Sequence, residues 1–260
     1  MNILDKIVAN KKIEVAAARA STSVAQLEAS ELFGRETYSF RDFLLAPDRT
    51  GIIAEFKRRS PSKGIINDKV TVEDVTTAYA GAGASAISVL TDTDFFMGEK
   101  TDLLHARAVN QVPLLRKDFM IDEYQILEAK AWGADIILLI AAILTPAEIK
   151  QLSGFAKSLG LNVLLEVHNL EELQRSIAPD LTAIGVNNRN LADFTVSVQT
   201  SFDLYEHIPQ EFLKISESAI SNTETIKQLK AAGFNGFLIG ENFMKEADPG
   251  AAIREFVKGL

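Results

Sequence analysis

The chain contains no cysteine. Disulfides, thiol nucleophiles and cysteine-based zinc sites are excluded, which agrees with a reducing compartment. Histidine is scarce, with 3 residues in 260, and His105, His168 and His207 are too far apart in the chain to form a metal-binding pair. The longest apolar run, "IILLIAAIL" at residues 136–144, is about half the roughly 20 residues that a membrane-spanning helix needs. The N-terminal stretch "MNILDKIVANKKIEVAAARA" mixes acids and bases with apolar residues, so it lacks the apolar core of a signal peptide. Cations are outnumbered, with 27 Lys plus Arg against 35 Asp plus Glu and a formal net charge of −8. Such a chain is a poor nucleic-acid binder unless its cations are gathered in one place. These absences lead to the expectation of a cytoplasmic protein whose partners include neither a membrane nor a nucleic acid.

What is present is ordinary globular composition, 47% hydrophobic and 24% charged. Eight apolar runs of strand length recur: "GIIAEF", "SAISVLT", "VPLLRKDF", "ADIILLI", "NVLLEV", "TAIGVNN", "FLKISES" and "GFLIG". Most of the intervals carry amphipathic helical patterns such as "TVEDVTTAYAGAGA" and "TPAEIKQLSGFAKSLG". An internal echo, "YAGAGASAISVL", "KAWGADIILL", "KSLGLNVLLE" and "KAAGFNGFLIG", reads each time as helix end, glycine and strand. Strand then helix, repeated, means parallel strands with helical crossovers. The expected fold is α/β, a (β/α)8 TIM barrel forming one domain over residues 1–260, with residues 1–48 as an N-terminal helical extension. A doubly wound open sheet is the competing architecture, weakened because no Gly-rich dinucleotide fingerprint follows the first strand.

In such a barrel, chemistry gathers at the C-terminal strand ends. The first run ends in Glu55 and Lys57, which share a strand face. The third ends in Lys117, the fifth in Glu166, the sixth in Asn187, Asn188 and Arg189, the seventh in Glu217 and Ser218, and the eighth in Gly240 and Glu241. Any one of these reads equally well as a solvated loop residue; together they place two lysines and several carboxylates at one mouth. A charge following apolar strand residues is costly unless paired, and Glu55 and Glu166 are plausible partners for the lysines. A lysine held near other cations and partly desolvated has a lowered pKa and becomes a usable proton donor, with a glutamate to relay the proton.

"AEFKRRSPSKG", residues 54–64, concentrates Lys57, Arg58, Arg59 and Lys63 after the first strand. By alternation Arg58 should point away from the mouth, while Ser60, Ser62 and Lys63 belong to a loop able to cover an anionic ligand. "SESAI" and "IGENFM", after strands seven and eight, occupy the usual barrel position for a phosphate. Weaker signals read as structure: Asp92 and Asp94 in "TDTDFF" as solvated acids rather than metal ligands, the three histidines as structural or exposed, and Trp132 as packing.

Six blocks, "IIAEFKRRSPSKG", "SVLTDTDFFMGE", "PLLRKDFMID", "LLEVHN", "GVNNRNL" and "SESAI", stand in an order and spacing that resembles the indole-3-glycerol phosphate synthase family over essentially the whole chain. The resemblance implies ring closure of 1-(o-carboxyphenylamino)-1-deoxyribulose 5-phosphate with loss of carbon dioxide and water, as part of tryptophan biosynthesis. It implies a phosphorylated small molecule as partner, no cofactor and no metal; a monomer is the separate expectation for a chain with a single barrel. Carried over by position, Lys117 resembles the general acid; Glu166 and Lys57 resemble the residues of the later dehydration, with Glu55 orienting Lys57. Asn187 and Arg189 correspond to supports for the substrate and the active-site charges, and Phe96 and Phe119 to the apolar surroundings of the anthranilate ring. Ser60, Ser218, Gly240 and Glu241 match positions at or near the phosphate, next to Glu217 and Ala219.

Three positions depart from the family pattern. Ala219 stands where glycine is usual and is expected to be accommodated, Asn190 stands where Asp is common, and Glu241 replaces a serine of some members, leaving a backbone N–H to serve the phosphate there. Two other functions fit the same residues: a Schiff-base aldolase using Lys117 as nucleophile, and a non-catalytic phosphometabolite-binding barrel, which would not require all of Lys57, Lys117, Glu55 and Glu166.

Overall fold

The structure is a computed structural model that describes residues 3–190 and 195–260. The last residue of "GVNNRNL", Leu191, and the first two residues of the N-terminal extension lie outside the described residues. Three helices, α1 (Ile3–Ser21), α2 (Val24–Glu28) and α3 (Phe40–Leu45), precede the first strand. Eight strands follow: β1 (Ile52–Phe56), β2 (Ala86–Leu90), β3 (Leu114–Lys117), β4 (Ile136–Ile140), β5 (Asn162–Val167), β6 (Ala183–Asn187), β7 (Leu213–Glu217) and β8 (Gly236–Ile239). All pair in parallel, and β1 meets both β8 and β2, so the sheet closes into a TIM barrel. The open-sheet alternative is thereby excluded. Arg59–Ser60 and Gly64–Ile65 add a short antiparallel ribbon within the loop after β1.

Local chemistry explains the alternation of strand and helix. Helix starts carry side-chain caps: Thr71, Asp122, Thr145, Asn169, Asn222 and Asp248 each accept a backbone N–H of the first turn. The echoed glycines Gly83, Gly133, Gly160 and Gly233 all have positive φ, between 75° and 106°, and stop the helices before β2, β4, β5 and β8.

The strands alternate between two apolar layers. Ile52, Ala54 and Phe56 pack outward against the helices, whereas Ile53 joins Ala86, Leu115, Ile136, Leu138, Leu164, Ala183, Leu213, Ile215 and Leu238 inside the barrel. Phe40 and Leu44 of α3 and Ile7 of α1 join this inner cluster. The inward face therefore runs from apolar residues to polar ones toward the C-terminal strand ends, and that change of character builds the site.

Candidate active site at the barrel mouth

Two residues beyond the inner apolar layer, alternation brings Glu55 of β1, Lys117 of β3, Glu166 of β5, Asn187 of β6 and Glu217 of β7 to the same end of the barrel. Lys117 is the hub: its Nζ lies 3.0 Å from Glu166 Oε2 and 2.9 Å from Glu217 Oε2. Asn187 Nδ2 donates to Glu166 Oε1 at 3.1 Å. Lys57 Nζ pairs with Glu55 Oε1 at 2.7 Å, and Ser88 Oγ reaches Glu55 Oε2 at 3.4 Å. Two glycines make room for this ring. A Cβ on Gly185 would lie 2.1 Å from Glu217 Oε1, and one on Gly240 would lie 2.6 Å from Glu55 Oε1.

The electrostatics correct one expectation. Burial alone would lower the Lys117 pKa, but Glu166, Glu217 and Glu55 outweigh it and raise it above the ordinary lysine range. Carboxylates from three strands, rather than neighbouring cations, dominate its surroundings. The two glutamates then diverge. Burial favours the neutral acid at Glu166, yet Lys117, His168 and Asn187 hold it well below the usual carboxylate range. Glu217 is pushed up to about 7, because burial and the repulsion of Glu166 and Glu55 exceed the help it receives from Lys117. Its Oε1 is buried with no hydrogen-bond partner among the described residues.

Around this ring lies a cleft whose apolar wall includes Phe96, Phe119, Leu90, Leu138 and Ile140. The Phe96 and Phe119 ring centroids are 6.0 Å apart. An adjoining, more polar recess is bordered by Ser218, Ala219, Gly240 and Glu241, with Arg189 and Lys63 reaching into it. Glu241 does not stand alone there: Lys63 Nζ is 3.7 Å from one oxygen and the Arg189 guanidinium 3.8 Å from the other. Ser60 is buried, with its hydroxyl 3.5 Å from that of Ser62. Ala219 is accommodated, but in the left-handed region at φ 60°, directly after Ser218 at φ 66°. Arg58 leaves the mouth as alternation requires and forms a two-point pair with Asp102, at 2.6 and 2.8 Å, in the helix layer.

Two functional neighbours were not anticipated. His168 is neither exposed nor idle: its Nε2 is 3.2 Å from Glu166 Oε1 and its Nδ1 3.1 Å from Glu172 Oε2. The two-residue spacing from Glu166 was the available signal, since both side chains leave one strand face. Lys11 of α1 is buried, 2.9 Å from Asp92 Oδ2 and 3.0 Å from Asp118 Oδ1. Its signal was its place between Ile7 and Val15 on the buried stripe of the helix. Through it, α1 is fastened beside Lys117 and contributes Ile3, Leu4 and Ile7 to the cleft wall. Asp92, read from sequence as a solvated loop acid, is instead this buried partner.

A closed parallel barrel with lysines and glutamates at its C-terminal mouth defines a TIM-barrel enzyme. Solved structures agree on the fold: thiamine phosphate pyrophosphorylase from Pyrococcus furiosus has a TM-score of 0.59 at 18% identity, covering 85% of this chain and 96% of its own. A chain of the tryptophan synthase α2β2 complex from the same organism gives 0.60 at 16% identity, covering 81% of this chain and 97% of that one. The family is narrower than the fold. The indole-3-glycerol phosphate synthase family model matches residues 4–256, and this chain belongs to that family. It is 46% identical to the indole-3-glycerol phosphate synthase of Bacteroides thetaiotaomicron over 259 residues, covering 100% of this chain and 99% of the relative. The synthases of Laribacter hongkongensis and Burkholderia vietnamiensis are 44% and 43% identical, each match covering 97% of both chains.

Proposed function

We propose that the chain converts 1-(o-carboxyphenylamino)-1-deoxyribulose 5-phosphate to indole-3-glycerol phosphate, with Lys117 as the acid of ring closure. The single observation that carries this reading is the Lys117 ammonium held between Glu166 and Glu217 at the C-terminal mouth, next to an apolar wall and a polar recess. The anthranilate ring lies against Phe96 and Phe119, and the phosphate lies in the recess among Ser60, Ser218, Ala219, Gly240 and Arg189. Its negative charge is met by Arg189 and Lys63, which Glu241 holds in place from the other side. This arrangement presents the ketone carbonyl to Lys117.

As the ring carbon that bears the carboxylate attacks that carbonyl, the new C–C bond places negative charge on oxygen. An alkoxide is more basic than any ammonium, so Lys117 donates to it despite its raised pKa. Breaking the C–CO2 bond returns the electron pair to the ring. For dehydration, a carboxylate takes a proton from carbon while an ammonium assists the departing hydroxyl; the ionised Glu166 suits the first role and Lys57, braced by Glu55, the second. Asn187 holds the Glu166 carboxylate in position.

No helix among the described residues is long and apolar enough to cross a membrane, and the reading is of a cytoplasmic monomer acting on a soluble phosphate ester. The test is to mix the purified protein with the carboxyphenylamino substrate, without added cofactor or metal, and follow indole fluorescence. Product formation at catalytic enzyme concentration is expected; silence at micromolar enzyme would sink the proposal. A covalent borohydride-trapped adduct on Lys117 would favour the aldolase instead.

A further inference from the structure

Glu166 is gripped from two sides. Lys117 approaches Oε2 at 3.0 Å, while His168 Nε2 stands 3.2 Å from Oε1, which also accepts Asn187 Nδ2 at 3.1 Å. On the far side of the imidazole, Nδ1 is 3.1 Å from Glu172 Oε2, the same oxygen that accepts the His168 backbone N–H at 2.8 Å. Glu172 is itself fixed at the start of the helix Leu170–Ser176, its Oε1 accepting Asn169 Nδ2 at 3.1 Å. The result is an alternating row of charges, Glu172, His168, Glu166, Lys117 and Glu217, drawn from β5, the helix after it, β3 and β7.

A neutral imidazole has one N–H and one lone pair, so it can satisfy only one of two carboxylates and must turn a lone pair toward the other. Only the imidazolium turns an N–H toward each of them, with Nδ1 in hydrogen-bond geometry to Glu172 and Nε2 in an ion-pair contact with Glu166. We infer that His168 is a positioning residue for the reaction, an imidazolium that uses Glu172 as its anchor to orient the Glu166 carboxylate facing Lys117. The inference rests on the reading that Glu166 moves a proton during dehydration.

The surroundings are consistent with the charged form. Burial opposes a charge on His168, but Glu166 and Glu172 together push its pKa up to about 10. The groups facing this unit are Glu172 from the following helix, Asn187 from β6 and Lys117 from β3, the last two acting through Glu166. Because His168 Nε2 and Lys117 Nζ lie beside different Glu166 oxygens, losing the imidazolium leaves Oε1 held by Asn187 alone and, by removing a neighbouring positive charge, raises the carboxylate's affinity for a proton. A residue that only filled space would affect neither.

Two measurements test this. In protein labelled with 15N-histidine, the ring resonances of three histidines are observed, and His168→Asn assigns the one in question. Both ring nitrogens of His168 should stay protonated from about pH 6 to about pH 9, whereas titration near the ordinary value of about 6.5 would overturn the inference. This readout uses the wild-type protein and does not depend on how a variant folds. In steady-state kinetics, His168→Ala should lower kcat about 10- to 100-fold with KM within about threefold. His168→Asn, which keeps a donor but not the charge, should recover part of the rate. In both variants, and less so in Glu172→Gln, the acid limb of the kcat profile should move to higher pH. A pH profile superimposable on that of the wild type would refute the positioning role. If the wild type itself fails to turn over, the functional reading fails, while the histidine resonances still decide the charge state.

Discussion

Lys11 offers the sharpest test of how the N-terminal helix serves the site. Its side chain is 3% exposed and faces Asp92 and Asp118, which are 0% and 2% exposed. Lys11→Met preserves the stem and removes the charge. Asp118 would keep Arg116 at 3.1 Å and the Thr91 hydroxyl at 2.7 Å, but Asp92 Oδ2 would lose its cation. Breaking a buried pair from one side costs about 3–5 kcal/mol, and the partners left to Asp118 place this case near about 3 kcal/mol. For a chain of this size that lowers Tm by roughly 6–12 °C. Since Asp118 follows Lys117 directly and α1 lines the cleft, turnover should fall about tenfold or more as well. Urea unfolding monitored by circular dichroism, together with steady-state rates, provides the assay.

The pH dependence of the same network has a definite sign. Burial raises the Asp118 pKa, but Arg116, Lys11 and Thr91 more than offset this and hold it at about 2, below its ordinary 3.8. A depressed acid contributes stability that is complete above its unfolded value and is lost as pH falls through its folded value. The wild-type advantage over Lys11→Met should therefore be full at neutral pH and shrink between about pH 4 and pH 2. A loss under about 1 kcal/mol, the size expected of a surface pair, would refute the buried clamp.

Two further outcomes follow from backbone and space. Ala219→Gly removes a left-handed alanine at φ 60°; relief of about 1–2 kcal/mol, less the added freedom of the unfolded chain, should raise stability by about 0.5 kcal/mol. Destabilisation on thermal unfolding would contradict the strain. Gly185→Ala places a methyl 2.1 Å from Glu217 Oε1, so Glu217 must leave Lys117 and kcat should fall about tenfold or more. Unchanged turnover would show that the Glu217 contact is dispensable.

The fold was legible because each strand reads as an apolar run, six helix starts carry a capping side chain and four helices end at a glycine. The ring of Glu55, Lys117, Glu166, Asn187 and Glu217 was legible from the residues that end the strands, because two-residue alternation fixes which side chains enter a barrel. The sign of the Lys117 shift was not. It depends on Glu166, Glu217 and Glu55 acting together, the second of them 100 residues away in sequence, and a local string does not reveal how many charges meet at one point. His168 and Lys11 left visible traces, one two residues beyond Glu166 and the other on an apolar stripe. Their partners Glu172, Asp92 and Asp118 become evident only when the chain folds. Ala219 was recognisable as a departure from the family pattern, but its left-handed backbone was not.

The measurement that bears most directly on Lys117 as the acid of ring closure compares Lys117→Ala with wild type, determining single-turnover rate and substrate dissociation constant on the same preparations. The expected result is a rate lowered by about 10²- to 10⁴-fold with affinity within about tenfold. Wild-type turnover by Lys117→Ala would contradict the account.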